Sequence, residues 1–310
     1  MGRETRVHHH HHHHGATGRR LRLSLFATVV FIVVEFAAGI QAHSLALLSD
    51  AGHNFTDALA LLLASFAFYV ESRPASETKT YGYQRAGVLA AFVNALALVP
   101  LAGFIFWESY QRLRVPQAVS EGIMIGVATV GLALNGGIMI ALRAASRRDL
   151  NIRSAFVHML GDALGSIGII IGGLMIARTG WLWIDAALSI LIGVLILWTA
   201  RGIIKESLHI LLEGLPREMR LETVVAAVRG VPGVIDVHDV HIWSLASHTH
   251  ALSCHVMIED LPLSASDAIL RSLNEVLERR FHITHTTIQF EHALCEISSS
   301  GCGPVRAEHR

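Results

Sequence analysis

The chain has 310 residues, of which 52% are hydrophobic and 16% charged, against about 25% charged in soluble domains. Formal net charge is zero, which argues against nucleic acid as a partner. The only lysines, Lys79 and Lys205, do not follow glycine, so no phosphate-cradling G-x-x-x-x-G-K-[ST] loop exists and nucleotide is not expected as a partner or energy source.

The N-terminus carries the histidine run His8–His14, a tag or a native metal-binding tail. Its flanks, Met1–Val7 and Gly15–Gly18, do not resemble a common tag linker. Residues 1–20 are set aside as this His-rich cytoplasmic tail or tag. Residues 21–205 form a series of apolar runs, each near the ~20 residues that cross a bilayer. Six spans are predicted: Leu21–Ile40, Leu45–Val70, Gly87–Tyr110, Gly122–Leu142, Ile152–Ala177 and Leu182–Ile204. Breaks fall at signals such as Arg73-Pro74 and Thr179-Gly180. Basic residues are unevenly shared between the two sides. Arg19, Arg20, Arg22, Arg73, Lys79, Arg85, Arg143, Arg147, Arg148, Arg153, Arg201 and Lys205 gather on one side, with Arg112, Arg114 and Arg178 on the other. Basic loops stay inside, so both termini are expected in the cytoplasm of a multi-pass inner-membrane protein.

Charged groups within a span cost several kcal/mol and mark functional positions by default. Span 2 holds Asp50, His53, Asn54 and Asp57, and span 5 holds His158 and Asp162. Residues four apart share a helix face, with Cβ atoms about 6 Å apart. Each H-x-x-x-D pair can therefore aim one imidazole nitrogen and one carboxylate oxygen at a common point. Two such helices supply four ligands, the number tetrahedral Zn²⁺ takes. Two carboxylates also offset the ion's charge in a low-dielectric place. Gly52, Gly161 and Gly165 are expected to let the two helices approach. The competing reading is a structural hydrogen bond in each helix. The repeat of one spacing in two spans favours the metal. Glu35, Asn94 and Asn135 are weaker intramembrane polar signals, and Asp50 is a candidate supporting or proton-carrying group.

From residue 206 the hydrophobic period changes. Leu221–Arg229 reads as a helix, Val234–Trp243 and Ala251–Ile258 as strands, Ala265–Phe281 as a helix and Thr286–His292 as a strand. The expected fold class is a six-helix membrane bundle carrying a cytoplasmic αββαβ domain over residues 206–295, followed by a tail, 296–310. Strand alternation puts His238 and His241 on opposite faces unless a bulge intervenes. Cys254, Cys295 and Cys302 are too few for a disulfide framework and suit a reducing cytosol.

The segments Leu45-Ala46-Leu47-Leu48-Ser49-Asp50-Ala51-Gly52-His53 and Val237-His238-Asp239-Val240-His241-Ile242-Trp243, with six spans, resemble the cation diffusion facilitator family, and within it the bacterial zinc exporters. The resemblance implies a homodimer, proton antiport and one transport site on His53, Asp57, His158 and Asp162. It implies zinc as cargo, often with cadmium accepted, and a ferredoxin-like tail used for metal sensing and dimerisation. His238, His255 and Glu291 are then the best set for a regulatory zinc site, although Asp267 and Gln289 stand where some relatives have histidines. His241, His292 and Cys295, the last two with Cys302 or a partner histidine, are weaker candidates. The loop Thr78–Arg85 has no His or Asp, so the second metal site of some relatives is expected to be absent. Arg85 and Glu213 match a basic–acidic pair of the family. An intramembrane zinc enzyme is the first rival, but no H-E-x-x-H occurs. A membrane-bound metal sensor without net flux is the second.

Overall fold

The computed structural model describes residues 14–143, 150–246 and 249–292. The histidine run short of His14, Arg147, Arg148, Cys295, Cys302 and the 296–310 tail lie outside the described residues. Six long helices come first: α1 (His14–Ala42), α2 (Leu45–Glu71), α3 (Ala86–Arg114), α4 (Glu121–Leu142), α5 (Leu150–Thr179) and α6 (Trp183–Leu211). Five of them are long and apolar enough to cross a membrane, and α1 contributes a shorter apolar stretch, Phe26–Ala42. Their surfaces show Phe66, Phe68, Ile140 and Trp198 each more than 60% exposed. Large apolar side chains facing outward all round suit lipid, not water.

The chain divides into two compact units. The first joins the residues up to Leu59 with Ala97–Thr199. Its core uses small residues at the crossings: Ala42, Ala46 and Ala128 pack with Leu47, Met124, Ile169, Ile176 and Ile184. Small side chains let helix backbones come close where lipid supplies no hydrophobic drive. At Gly173 a Cβ would meet Ile125 Cγ1 of α4 at 2.7 Å, so the α4–α5 contact depends on glycine there.

The second unit joins Ala60–Leu96 with Ala200 onward. Span 6, expected to stop at Ile204, runs on as helix to Leu211. Beyond it come α7 (Leu221–Arg229), β1 (Val234–Ala246), β2 (Thr249–Ile258), α8 (Leu263–Phe281) and β3 (Ile283–Glu291). This is the αββαβ order read from the sequence. The sheet order is β1-β2-β3. β1 pairs antiparallel with β2, and β3 lies parallel to β2 because α8 carries the chain back as a crossover. Val224 and Val228 of α7, Leu273 and Leu277 of α8, and Val237, Ile242, Leu252, Cys254 and Val256 of the strands form the core. Along β2 the buried residues alternate with His255 and Ser253. Those two therefore stand on the sheet face away from the core.

Candidate metal centre

Within the first unit, α2 and α5 bring both H-x-x-x-D pairs together. Asp57 Oδ2 lies 3.6 Å from His53 Nε2 on its own helix and 3.3 Å from His158 Nε2 on α5. His158 Nε2 lies 3.6 Å from Asp162 Oδ2, and the two imidazole rings meet edge to face with centroids 6.2 Å apart. Four ligands held about 2.0–2.1 Å from zinc in a tetrahedron stand about 3.3–3.4 Å from one another. The 3.3 Å spacing between the helices meets that edge, and the two 3.6 Å spacings within each helix are longer. Asp57 Oδ2 and His53 Nδ1 are buried with no hydrogen-bond partner, whereas buried polar atoms are ordinarily satisfied.

Neighbouring polar groups are also placed. Glu35 of α1, 1% exposed, accepts a hydrogen bond from Asn54 Nδ2 at 3.1 Å. Gly165 faces Asp50 of α2, whose Oδ1 would stand in ordinary contact, 3.8 Å, with an added Cβ. Gly52 instead faces Leu101 of α3, and Gly161 has nothing within 4 Å. Of the three glycines expected to join the two helices, only Gly165 is at the contact.

A second cluster occupies the free face of the tail sheet. His238 of β1 and His255 of β2 are paired in register, and Glu291 of β3 stands beside Met257 of β2. His238 Nε2 lies 3.2 Å from Glu291 Oε2, and His255 Nδ1 lies 2.9 Å from Glu291 Oε1. Their ligand atoms all fall within 4.8 Å of one another. His238 Nε2, His255 Nδ1 and Glu291 Oε2 are buried without hydrogen-bond geometry to any partner.

β1 carries a register shift between His238 and His241. The extra residue is Asp239, with φ of +49°. The bulge returns His238 and His241 to the same face, removing the opposition that strict alternation gives. Asp239 Oδ1 lies 3.1 Å from His241 Nε2, and Oδ2 lies 3.8 Å from His255 Nε2. Sequence reading missed Asp239, since its place depends on the bulge. His241 is thus at the cluster's edge, whereas His292 is exposed and outside it. Arg85 and Glu213 do meet, at 3.2 Å.

The transmembrane domain of cation efflux proteins matches residues 21–212, and the cytoplasmic domain of cation efflux proteins matches residues 216–293. The chain belongs to the cation efflux, or cation diffusion facilitator, family. It is therefore a multi-pass cation efflux transporter and not an enzyme. It is 40% identical over 282 residues to the metal cation efflux system protein CzcD of Cupriavidus metallidurans, covering 91% of this chain and 89% of that protein. The zinc transporter ZitB of Escherichia coli is 39% identical over 279 residues, 89% of this chain and 88% of its own. A cadmium, cobalt and zinc/H(+)-K(+) antiporter of Bacillus subtilis is 37% identical, with 89% and 90% covered. A solved metal-bound C-terminal domain of the CzcD transporter is 37% identical and covers 24% of this chain and 99% of its own, at a TM-score of 0.22.

Proposed function

We propose that the chain is a proton-coupled antiporter that exports Zn²⁺ from the cytoplasm, accepting Cd²⁺ and related divalent ions, in metal homeostasis and resistance. It works as a homodimer in the inner membrane with both termini cytoplasmic. The observation that carries the reading is Asp57 Oδ2, 3.3 Å from His158 Nε2 across two helices and 3.6 Å from His53 Nε2. Two imidazoles and two carboxylates inside apolar helices are a donor set that suits a small divalent ion of borderline softness. The relatives named for zinc, and for cadmium, cobalt and zinc exchange against protons and potassium, support the same cargo and a proton-coupled exchange. The basic residues gathered beside the tail support the orientation.

The chemistry of the cycle follows from the ligands. Zn²⁺ enters when both imidazoles are neutral and both carboxylates ionised. His53, Asp57, His158 and Asp162 replace its water, and the two carboxylates cancel its charge. On the far side, protons compete for the imidazole nitrogens and expel the ion. The tail cluster of His238, His255 and Glu291, with Asp239 beside it, holds a regulatory zinc.

The test is Zn²⁺ uptake into sealed inverted vesicles. Uptake rises when the lumen is made acidic, and Asp162→Ala reduces it to background. Uptake indifferent to the imposed gradient would sink the antiport, and wild-type flux in Asp162→Ala would remove the site.

A further inference from the structure

The first turn of α2 is held by a carboxylate from another helix. Asp185, in the first turn of α6 and 1% exposed, accepts a hydrogen bond from Ser44 Oγ at 2.6 Å, from the Leu45 N–H at 2.7 Å and from the Ala46 N–H at 3.2 Å. Ser44 Oγ accepts the Leu47 N–H at 3.2 Å. The Ser44 N–H donates to the Gly39 carbonyl at 3.1 Å. The amides that a helix leaves unpaired at its start are thus all satisfied, three of them by side chains. Negative charge also suits this positive helix end.

Asp185 is itself restrained. Arg112 of α3 reaches Asp185 Oδ2 at 3.5 Å and Glu108 at 3.0 Å, and it donates to the His43 carbonyl. Ser120, which precedes α4, donates its N–H to the Ala42 carbonyl at 2.9 Å. Glu108, Arg112 and Asp185 therefore tie α3 and α6 to the α1–α2 turn, where His43 has φ of +53°.

Burial shows why this end matters. Ser44, Leu45, Ala46, Leu47, Ser49 and Ala51 are 0–2% exposed, while Phe55, Leu61, Leu62, Phe66 and Phe68 are 58–74% exposed. α2 is gripped at its first two turns and open to lipid beyond them. His53 stands eight residues after Leu45, about 12 Å along the axis, just past the gripped block. A slip or rotation at the cap moves His53 and Asp57 rigidly with respect to His158 and Asp162.

We propose that Asp185, braced by Arg112, is a positioning residue for transport. It fixes the axial and rotational setting of α2 and so sets the distance between the two halves of the metal site. This rests on the four-ligand reading above. Holding a site to well under 1 Å is what a supporting shell does for metal binding, and the support here acts through a helix.

The test uses the full-length protein carrying Glu291→Ala, which removes the shared carboxylate of the tail cluster, with Co²⁺ as a spectroscopic probe of the intramembrane site and Zn²⁺ flux in proteoliposomes. Both Asp185→Asn and Ser44→Ala should raise the KM for Zn²⁺ roughly tenfold, the scale of lost outer-shell partners. Both should weaken or shift the Co²⁺ absorption of the tetrahedral site, and Ser44→Thr, which keeps the hydroxyl, should restore both readouts. Wild-type KM and wild-type Co²⁺ spectrum in Ser44→Ala, and in Asp185→Asn where it folds, overturn the proposal even if melting temperatures fall. Asp162→Ala is the control for the underlying reading. If it leaves the Co²⁺ spectrum unchanged, the four-ligand site fails. If it abolishes the spectrum while the cap variants leave it intact, the positioning role alone fails.

Discussion

Cys254 sits on β2 inside the tail core and is 2% exposed. Burial without a charged partner disfavours the thiolate and pushes the thiol up to about 12 from an ordinary value near 9. Only the thiolate is a nucleophile. With Cys295 and Cys302 changed to serine, the native protein should therefore resist iodoacetamide at pH 8 and react once unfolded. The linkage has a definite sign. Between pH 9 and 12 the unfolded tail has lost this proton and the folded tail keeps it, so stability is complete below about 9 and falls as pH rises. Denaturant melts of the tail across that window should show the slope, and Cys254→Ala should lack it. Side-chain pairs that depend on local spacing were legible from the sequence. His53 with Asp57, and His158 with Asp162, follow from i,i+4 geometry alone. Asp185 was not, although an acid in an apolar run is the same kind of signal. Its role depends on Ser44 and Leu45, more than a hundred residues away, and on a helix end that no local pattern brings near.

At the scale of elements, the β1 bulge decides what the tail's free face displays. A strand read with strict period two separates His238 from His241. One extra residue, Asp239, reverses that and places a carboxylate between His241 and His255. Bulges depend on pairing with a neighbouring strand, so hydrophobic alternation could show the strand but not its phase. The backbone of Asp239 lies in the left-handed region, which asparagine and aspartate tolerate and β-branched residues do not. Asp239→Asn should keep the fold. Asp239→Val should destabilise the tail by about 1–2 kcal/mol through its backbone and shift the resonances of His238 and His255. A tail with unchanged stability in the valine variant would place the bulge elsewhere. The long helices were more legible: apolar runs, the Arg73-Pro74 break and Thr179-Gly180 mark span ends within a few residues. The extension of α6 to Leu211 was missed because Lys205 and Glu206 end the apolar run without ending the helix.

At the scale of the whole molecule, imidazoles and carboxylates cluster in two settings. The intramembrane set has two imidazoles and two carboxylates on two helices. The tail set has two imidazoles and one carboxylate on three strands, with Asp239 near. The transport site proposed above has to release its ion, and its ligands come from two separate helices, α2 and α5. The regulatory site proposed above has only to report the ion, and its ligands sit on a sheet backed by a core of Leu252, Leu273 and Leu277. His238 on β1, His255 on β2 and Glu291 on β3 each lie on a different strand, so one ion there ties all three strands. Zinc bound to the folded tail but not to the unfolded chain stabilises it by about 2.7 kcal/mol at a hundredfold excess over Kd. Thermal unfolding followed by the tail's far-ultraviolet β signal should therefore move upward with added Zn²⁺ in the wild type. It should not move in Glu291→Ala, which removes the carboxylate that both imidazoles face. The same variant keeps His53, Asp57, His158 and Asp162, so Co²⁺ should still bind in the membrane. A Zn²⁺-dependent shift that persists in Glu291→Ala would assign the stabilisation to the intramembrane ligands, and with it the coupling between metal and tail.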